Sequence, residues 1–378
     1  MQQIIDQLTD TIRHAAADKT PLCIRGGGSK DFYGGAPRGE SFSVSAYRGI
    51  IDYEPSELVI TARAGTPLAD IEAALRERGQ MLVFEPPHFG QLPPPLAPPP
   101  QAREGNVVAA APQNRIATLG GCIAAGLSGP RRAYAGAVRD TVLGVRILDG
   151  RGDDLRFGGQ VMKNVAGFDV SRLMAGSLGT LGVLLEISLK VLPVPVAAAT
   201  LRFESTAGDA IALMNEWAGK PLPLSATAWY EGKLYARLSG ASAAVGAATK
   251  MLGGDRLDDA QAKRHWQDIR EHTAAFFNTA PALWRLSLKS TTPPLNLPGT
   301  QLIEWNGALR WLATNAHAAT VREAAKFGGG HATLFRGGDK SVGVFHPLPR
   351  ALMTIQRNLK RTFDPAGIFN PGRLYPDF

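Results

Sequence analysis

The sequence predicts an α+β fold in two parts, on three observations. Three glycine-rich clusters crowd its first half. Two prolines, Pro193 and Pro195, close that half. Beyond them, strands and helices follow a strand–helix–strand–strand–helix order that fits an antiparallel sheet with helices on one face. The length of 378 residues is consistent with this, at roughly 150 residues per domain.

The elements are read in chain order. Met1 to Lys19 forms an amphipathic helix with Ile4, Ile5, Leu8 and Ile12 on one side. Pro21 to Ile24 is a short buried strand running into Arg25-Gly26-Gly27-Gly28-Ser29-Lys30. Ser43 to Ile50 and Leu58 to Ala64 read as strands. Pro67 to Gly79 is a helix, with proline in its first turn and glycine closing it. Residues 86–112 hold nine of the 27 prolines, which excludes a helix interior or a central strand. Thr118 to Ser128 reads as a loop leading into a short helix, and Thr141 to Leu148 as a strand. Val161 to Met174 is mixed, and Gly182 to Leu192 alternates like a strand.

After the prolines, Thr200 to Phe203 is a strand and Asp209 to Trp217 a helix. Ala226 to Tyr230 and Lys233 to Leu238 form a hairpin across Glu231-Gly232, and Ala241 to Met251 is a helix. Further strands are expected near Leu283–Lys289, Glu304–Trp311 and His331–Phe335. Leu352 to Phe363 is a helix followed by an extended tail.

Composition excludes several function classes. The chain is 44% hydrophobic and 20% charged, the balance of a globular protein. Lys and Arg number 41 against 33 Asp and Glu, giving a net charge of +8. The cations are scattered, and no aromatic-interleaved basic stripe marks a nucleic-acid surface. The charge suits an anionic cofactor, an acidic partner or a membrane surface. The most apolar run, Leu173 to Thr200, is broken by Glu186 and Lys190, so no transmembrane helix is expected. Cys23 and Cys122 are the only cysteines, too few for a zinc ribbon or an iron–sulfur cluster, and no metal site is expected. Lone thiols and the lack of a signal-peptide core point to the cytoplasm.

The glycine clusters carry the chemistry. Arg25 to Lys30 follows a strand, and successive glycines let backbone N–H groups converge on an anion. A Rossmann fingerprint is excluded, because Asp31 stands where its last glycine belongs and Phe32 to Pro37 supplies no helix. Thr118 to Ser128 approaches a phosphate-binding loop of the Walker type, but Leu127 replaces the lysine, which excludes a nucleoside triphosphatase and leaves a diphosphate cradle open. Gly176 to Val183 is spaced for close packing against a flat group or another strand. Together the three clusters suggest one large phosphate-bearing cofactor.

In order and flanks these segments resemble the FAD-linked oxidases of the vanillyl-alcohol oxidase / PCMH-type superfamily. The segments "FEPPHFG", "GLSGPRR", "VMKNVAGFDVSRLMAGSLGTLG" and "IFNPGRL" more specifically resemble the FAD-binding E subunits of bacterial glycolate oxidases. The resemblance is dense over 20–195, returns at 363–374 and is thin between 200 and 360. It implies a PCMH-type FAD domain at 1–195 with a proline-rich insertion from Gln91 to Ile116. A cap domain at 196–360 and a tail at 361–378 folding back would follow.

By resemblance, Arg25, Gly26, Gly27, Gly28, Ser29 and Lys30 hold the FAD diphosphate, and Pro86 lies on the adenine side. Thr118, Gly120, Gly121 and Ser128 line the second phosphate and flavin contact, and Gly136 and Asp140 the adenosine end. Gly182 and Val183 approach by backbone, and Asn370 and Arg373 return from the C-terminus. Thr118 and Asp140 have packing as the commoner alternative. Covalent members carry a histidine where this chain has Gly28-Ser29, so FAD is expected to be non-covalent.

The implied function is a glycolate oxidase subunit, passing electrons from glycolate through flavin to an iron–sulfur subunit. A larger FAD-containing subunit completes the complex, which allows attachment to the inner face of the membrane. The alternatives are a non-catalytic flavin carrier and a stand-alone oxidase of another small hydroxy acid or alcohol.

No histidine cluster like that of related hydroxy-acid dehydrogenases is evident. His331 is the nearest candidate base. His265 and His272 read as a helix surface, and Arg285, Arg336 and Lys163 are cations able to pair with a carboxylate. On this reading the isolated chain lacks its own substrate site.

Overall fold

The computed structural model describes residues 1–90, 115–159 and 169–378. Most of the proline-rich segment and Lys163 lie outside them. Helix Gln2–Asp18 buries Ile5, Leu8, Ile12 and Ala15, one face at helical spacing. It packs on a two-stranded parallel sheet of Leu22–Arg25 and Glu40–Ser43. The expected strand at 43–50 is instead the connection between Glu40–Ser43 and the strand Ile50–Glu54. Gly49, at φ 118°, sits in that turn and breaks the run.

A five-stranded antiparallel sheet follows in the order Ile50–Glu54, Val59–Arg63, Val183–Lys190, Val142–Leu148, Asp154–Gly158. Its core includes Ile60, Leu68, Ile71, Leu75, Ile123, Val145 and Ile187. Val183–Lys190 is buried on both faces, as a central strand must be.

Residues 197–337 form an eight-stranded antiparallel sheet. The order is Asp255–Arg256, Ala197–Glu204, Lys233–Gly240, Leu224–Tyr230, Thr300–Glu304, Leu309–Ala313, Ala282–Ser287, His331–Gly337. The architecture is therefore α+β with a large antiparallel sheet. The hairpin turns at Glu231 and Gly232, both left-handed at φ 47° and 75°. The single strand expected at 304–311 is two strands, split by a turn at Trp305–Gly307. Asn306-Gly307, a strong turn pair, is the signal that announces it.

The eight-stranded sheet turns one face to the glycine-rich half. Leu283, Leu302, Leu309, Trp311 and Phe335 on that face pack with Tyr33, Phe89, Leu127 and Leu178. Trp284, Leu286 and Leu312 face the other way, against Val321 and Ala325 of helix Ala318–Phe327. Strand alternation thus decides which side chains can reach the seam.

Candidate functional site

The loop Arg25–Lys30 is pinned by the segment beside it. Gly28 bridges to Ile116, and the Ile116 N–H donates to the Gly27 carbonyl at 3.1 Å. A Cβ on Gly27 would overlap the Ile116 carbonyl oxygen, and one on Gly26 the Thr118 hydroxyl. Gly27 is therefore required first by the close approach of two backbone segments, and Gly26 by the Thr118 side chain. The N–H groups of Gly26, Gly27 and Gly28 donate to no acceptor among the described residues. Three successive unpaired donors at a half-buried turn suit a phosphate-bearing group.

Thr118 caps helix Leu119–Ala125, its hydroxyl accepting from the Gly121 N–H at 3.4 Å. This reverses the expected order of loop then helix, because the cap starts the helix at Leu119 despite two glycines. Two cavities flank the glycine loop. One, of about 90 Å³, also reaches Gly120, Gly121, Gly182, Asn370 and Arg373. The other, of about 380 Å³, reaches Ser41, Ser43, Arg48 and Arg115. Lys30 is buried, which lowers its pKa, and its ammonium lies 3.3 Å from Ser29 Oγ and 5.7 Å from the Phe89 ring centroid.

The C-terminal tail clamps this region. Asn370 Oδ1 accepts from the Ile24 N–H at 2.7 Å, and its Nδ2 donates to the Leu178 carbonyl at 2.6 Å. Arg373 donates to the carbonyls of Asp31, Tyr33 and Gly35. Lys360 donates to Thr180 O at 2.8 Å, Phe369 O at 2.7 Å and Asp364 Oδ2 at 2.7 Å.

A third cavity, of about 20 Å³, lies where the 127–130 loop meets the eight-stranded sheet. It is lined by Phe89, Ser128, His272, Arg285, Glu304 and Trp311 among others. His272 is no helix-surface residue. It ends helix Asp259–Glu271 in a left-handed conformation, φ 56°, which turns the ring inward. It is 4% exposed and stacks on Phe277 with centroids 3.8 Å apart. Its Nδ1 has no partner, and burial, with Arg336 and Arg285 nearby, holds its pKa well below the ordinary value. Burial lifts Glu304 to about 7, although its carboxylate accepts from Trp311 Nε1 at 2.8 Å. Burial lowers Arg285, and its guanidinium forms no ion pair or hydrogen bond with any described residue. His272, Arg285 and Glu304, from three separate segments, thus line one cavity.

Arg25 to Lys30, Thr118, Gly120, Gly121, Gly182, Asn370 and Arg373 come together around the first cleft. Ser128 lines the cavity beside His272, and its hydroxyl accepts from Val138 N–H at 2.9 Å. Pro86 is buried outside all three cavities, and Val183 is core. Gly136 ends a short helix at φ 87°, and Asp140 accepts from the Ala137 N–H at 2.8 Å, a local role. His331 is exposed on an edge strand outside all three cavities. No helix among the described residues is long and apolar enough to cross a membrane.

Residues 3–91 match an FAD binding domain family. The chain is 47% identical to glycolate oxidase subunit GlcE of Escherichia coli (strain K12), over 98% of this chain and 97% of that one. It is 28% identical to glycolate oxidase subunit GlcD of Bacillus subtilis (strain 168), over 52% of this chain and 37% of that one. Its fold matches alkyldihydroxyacetonephosphate synthase with a TM-score of 0.61 at 16% identity, covering 98% of this chain and 76% of that one. Whole-length identity to GlcE, joined to the PCMH-type FAD-binding domain around the glycine cradle, shows that the chain belongs to the GlcE family of glycolate oxidase subunits, within the FAD-linked oxidoreductases.

Proposed function

We propose that the chain holds one FAD without a covalent link and works within a glycolate oxidase assembly that converts glycolate to glyoxylate. The observation that carries this is the run of unpaired N–H groups at Gly26, Gly27 and Gly28, opening on a cleft shared with Gly120, Gly121, Asn370 and Arg373. These donors would hold the diphosphate. Bound FAD supplies the two-electron acceptor for hydroxy-acid oxidation. Asn370 and Arg373 fix the loops on either side of the cleft through the hydrogen bonds above.

Residues 1–195 act as the FAD-binding part, 196–360 as the cap and 361–378 as the returning tail. Gly28-Ser29 offer no imidazole for a flavin bond. Two cysteines cannot ligate an iron–sulfur cluster, so onward electron transfer falls to a separate iron–sulfur subunit, beside a larger FAD-containing subunit. The assembly belongs in the cytoplasm, at the inner face of the membrane.

The test is purification of the chain alone and with both partners. Acid precipitation should release all flavin into the supernatant, and sustained glycolate turnover should need the assembly. Flavin retained by the denatured chain, or steady turnover by the chain alone, would overturn the corresponding part.

A further inference from the structure

A fourth cavity, of about 560 Å³, lies apart from the cofactor cleft. It opens between helix Leu68–Glu77 of the first half and helix Asp259–Glu271 of the second, beside strands Ala197–Glu204 and Lys233–Gly240. It shares no lining residue with the two cavities at the glycine loop, and only Arg270 with the one beside His272.

The charges on its walls do not balance. Arg270 is matched by Glu271 at 2.7 Å, and Asp259 by Arg256 at 3.9 Å. That leaves Arg76, Arg131, Arg237 and Lys263 against Glu72 and Glu85, an excess of two positive charges. Arg76 and Lys263 form no ion pair or hydrogen bond with any described residue.

The inner part of this excess is held in place. Arg237 is 9% exposed, and its Nε donates to Ser225 Oγ at 3.1 Å and its Nη2 to Glu85 at 2.9 Å. Its guanidinium lies 4.9 Å from the Trp266 ring centroid, and the Trp266 Nε1–H donates to Thr200 Oγ1 at 2.9 Å. The Nη1 of Arg237 and both Nη atoms of Arg131 have no acceptor among the described residues. Two guanidiniums on one carboxylate leave a partly desolvated cation without its counter-charge. Beside them Met81, Val194 and Pro195 form an apolar wall, with Val194 49% exposed.

We propose that this cavity binds a small organic phosphate, with its phosphate on Arg131 and Arg237 and its carbon skeleton against Met81, Val194 and Pro195. A phosphate monoester carries about two negative charges at neutral pH, the number the walls lack, whereas a monocarboxylic acid supplies only half of that. Its oxygens accept from guanidinium forks. The volume is that of a small-molecule site and far exceeds a bare phosphate. Arg76 and Arg131 belong to the first half, Arg237 and Lys263 to the second, so the ligand ties the halves together. Neither flavin nor glycolate enters this recognition.

The probe is ribose 5-phosphate, titrated calorimetrically into the full chain saturated with FAD, so that the glycine cleft is filled. It binds once per chain and raises the Tm. Inorganic phosphate binds about tenfold more weakly for want of the apolar contact, and ribose does not bind. Glycolate does not displace the probe. Arg131→Lys keeps a cation beside Glu85 but loses the fork, and weakens binding about tenfold at unchanged flavin content. Arg76→Gln combined with Lys263→Gln, both exposed, weakens it about threefold. Lys250→Gln, on the exposed side of helix Ser242–Leu252, does not. Equal binding of ribose and ribose 5-phosphate, displacement by equimolar glycolate, or binding of neither phosphate overturns the proposal, and none of these needs a variant to fold. So does full affinity in both the Arg131→Lys and the double variant. Binding confined to FAD-free protein would assign the phosphate to the glycine cleft and overturn it too.

Discussion

Single residues show two kinds of constraint that a sequence does not distinguish. The glycine run at 26–28 was legible as an anion cradle because glycine repeats are visible one after another. That Gly27 is also wedged against Ile116 was not legible, since the partner is far along the chain. Gly27→Ala should separate the two loops. An overpacking cost of about 1–3 kcal/mol is expected, with a large loss of flavin. Gly121→Ala meets only the Thr118 hydroxyl at 3.1 Å and should keep most of it. The visible-to-ultraviolet absorbance ratio of the two purified variants decides. Glu304 offers a second test. Its pKa rises from 4.5 to about 7 on folding, so the native state binds more protons between those values. Stability should therefore fall as the pH rises through that window, by something on the order of 3 kcal/mol in total. Glu304→Gln keeps an acceptor for Trp311 and should lose that slope in urea titrations at several pH values. Parallel pH profiles for the two proteins would refute it.

At the level of elements, local chemistry was read well where a turn or cap sits within a few residues. The Glu231-Gly232 hairpin and the terminal helix were both legible for that reason. His272 was not, because its fate depends on a left-handed helix end that turns it into a distant aromatic cluster. The terminal helix Arg350–Phe363 tests how elements are joined. Lys360 and Asp364 form a buried ion pair one turn apart, with side chains 8% and 0% exposed. Asp364 also accepts from the N–H groups of Ile368 and Phe369, at 3.1 and 2.7 Å. Lys360→Met would leave that carboxylate buried without its cation, at a cost of about 3–5 kcal/mol. It would also release Thr180 and Phe369, loosening the turn that carries Asn370. The expected result is a lower Tm together with faster flavin dissociation on dilution. Unchanged flavin dissociation would mean that the tail does not brace the cleft.

For the whole molecule, the seam between the five- and eight-stranded sheets was the least legible feature. Its key contact joins residues 152 positions apart, a spacing no periodicity reveals. Glu85 sits there between two arginines. One carboxylate oxygen accepts from the Arg131 backbone N–H at 3.0 Å and from Arg237 Nη2 at 2.9 Å. The other lies 3.4 Å from Arg131 Nε. Arg237 belongs to strand Lys233–Gly240 of the larger sheet, so this carboxylate ties the halves together. The side chains of Arg131, Arg237 and Glu85 are 13%, 11% and 17% exposed, so water screens them little. Glu85→Gln keeps the shape but leaves two guanidiniums facing each other without a counter-charge, at a cost of about 3–5 kcal/mol. Because that cost falls on the seam, scanning calorimetry should show one thermal transition resolving into two. The pH dependence has a definite sign. Burial alone would raise the Glu85 pKa, but Arg237 and Arg131 together hold it below 4.5. Its contribution is therefore complete above that value and is lost as the pH falls through the lower folded-state value. The gap in Tm between the parent protein and Glu85→Gln should be constant at neutral pH and close in strong acid. A gap that persists unchanged under acid conditions would show that the carboxylate's charge is not what holds the two sheets together.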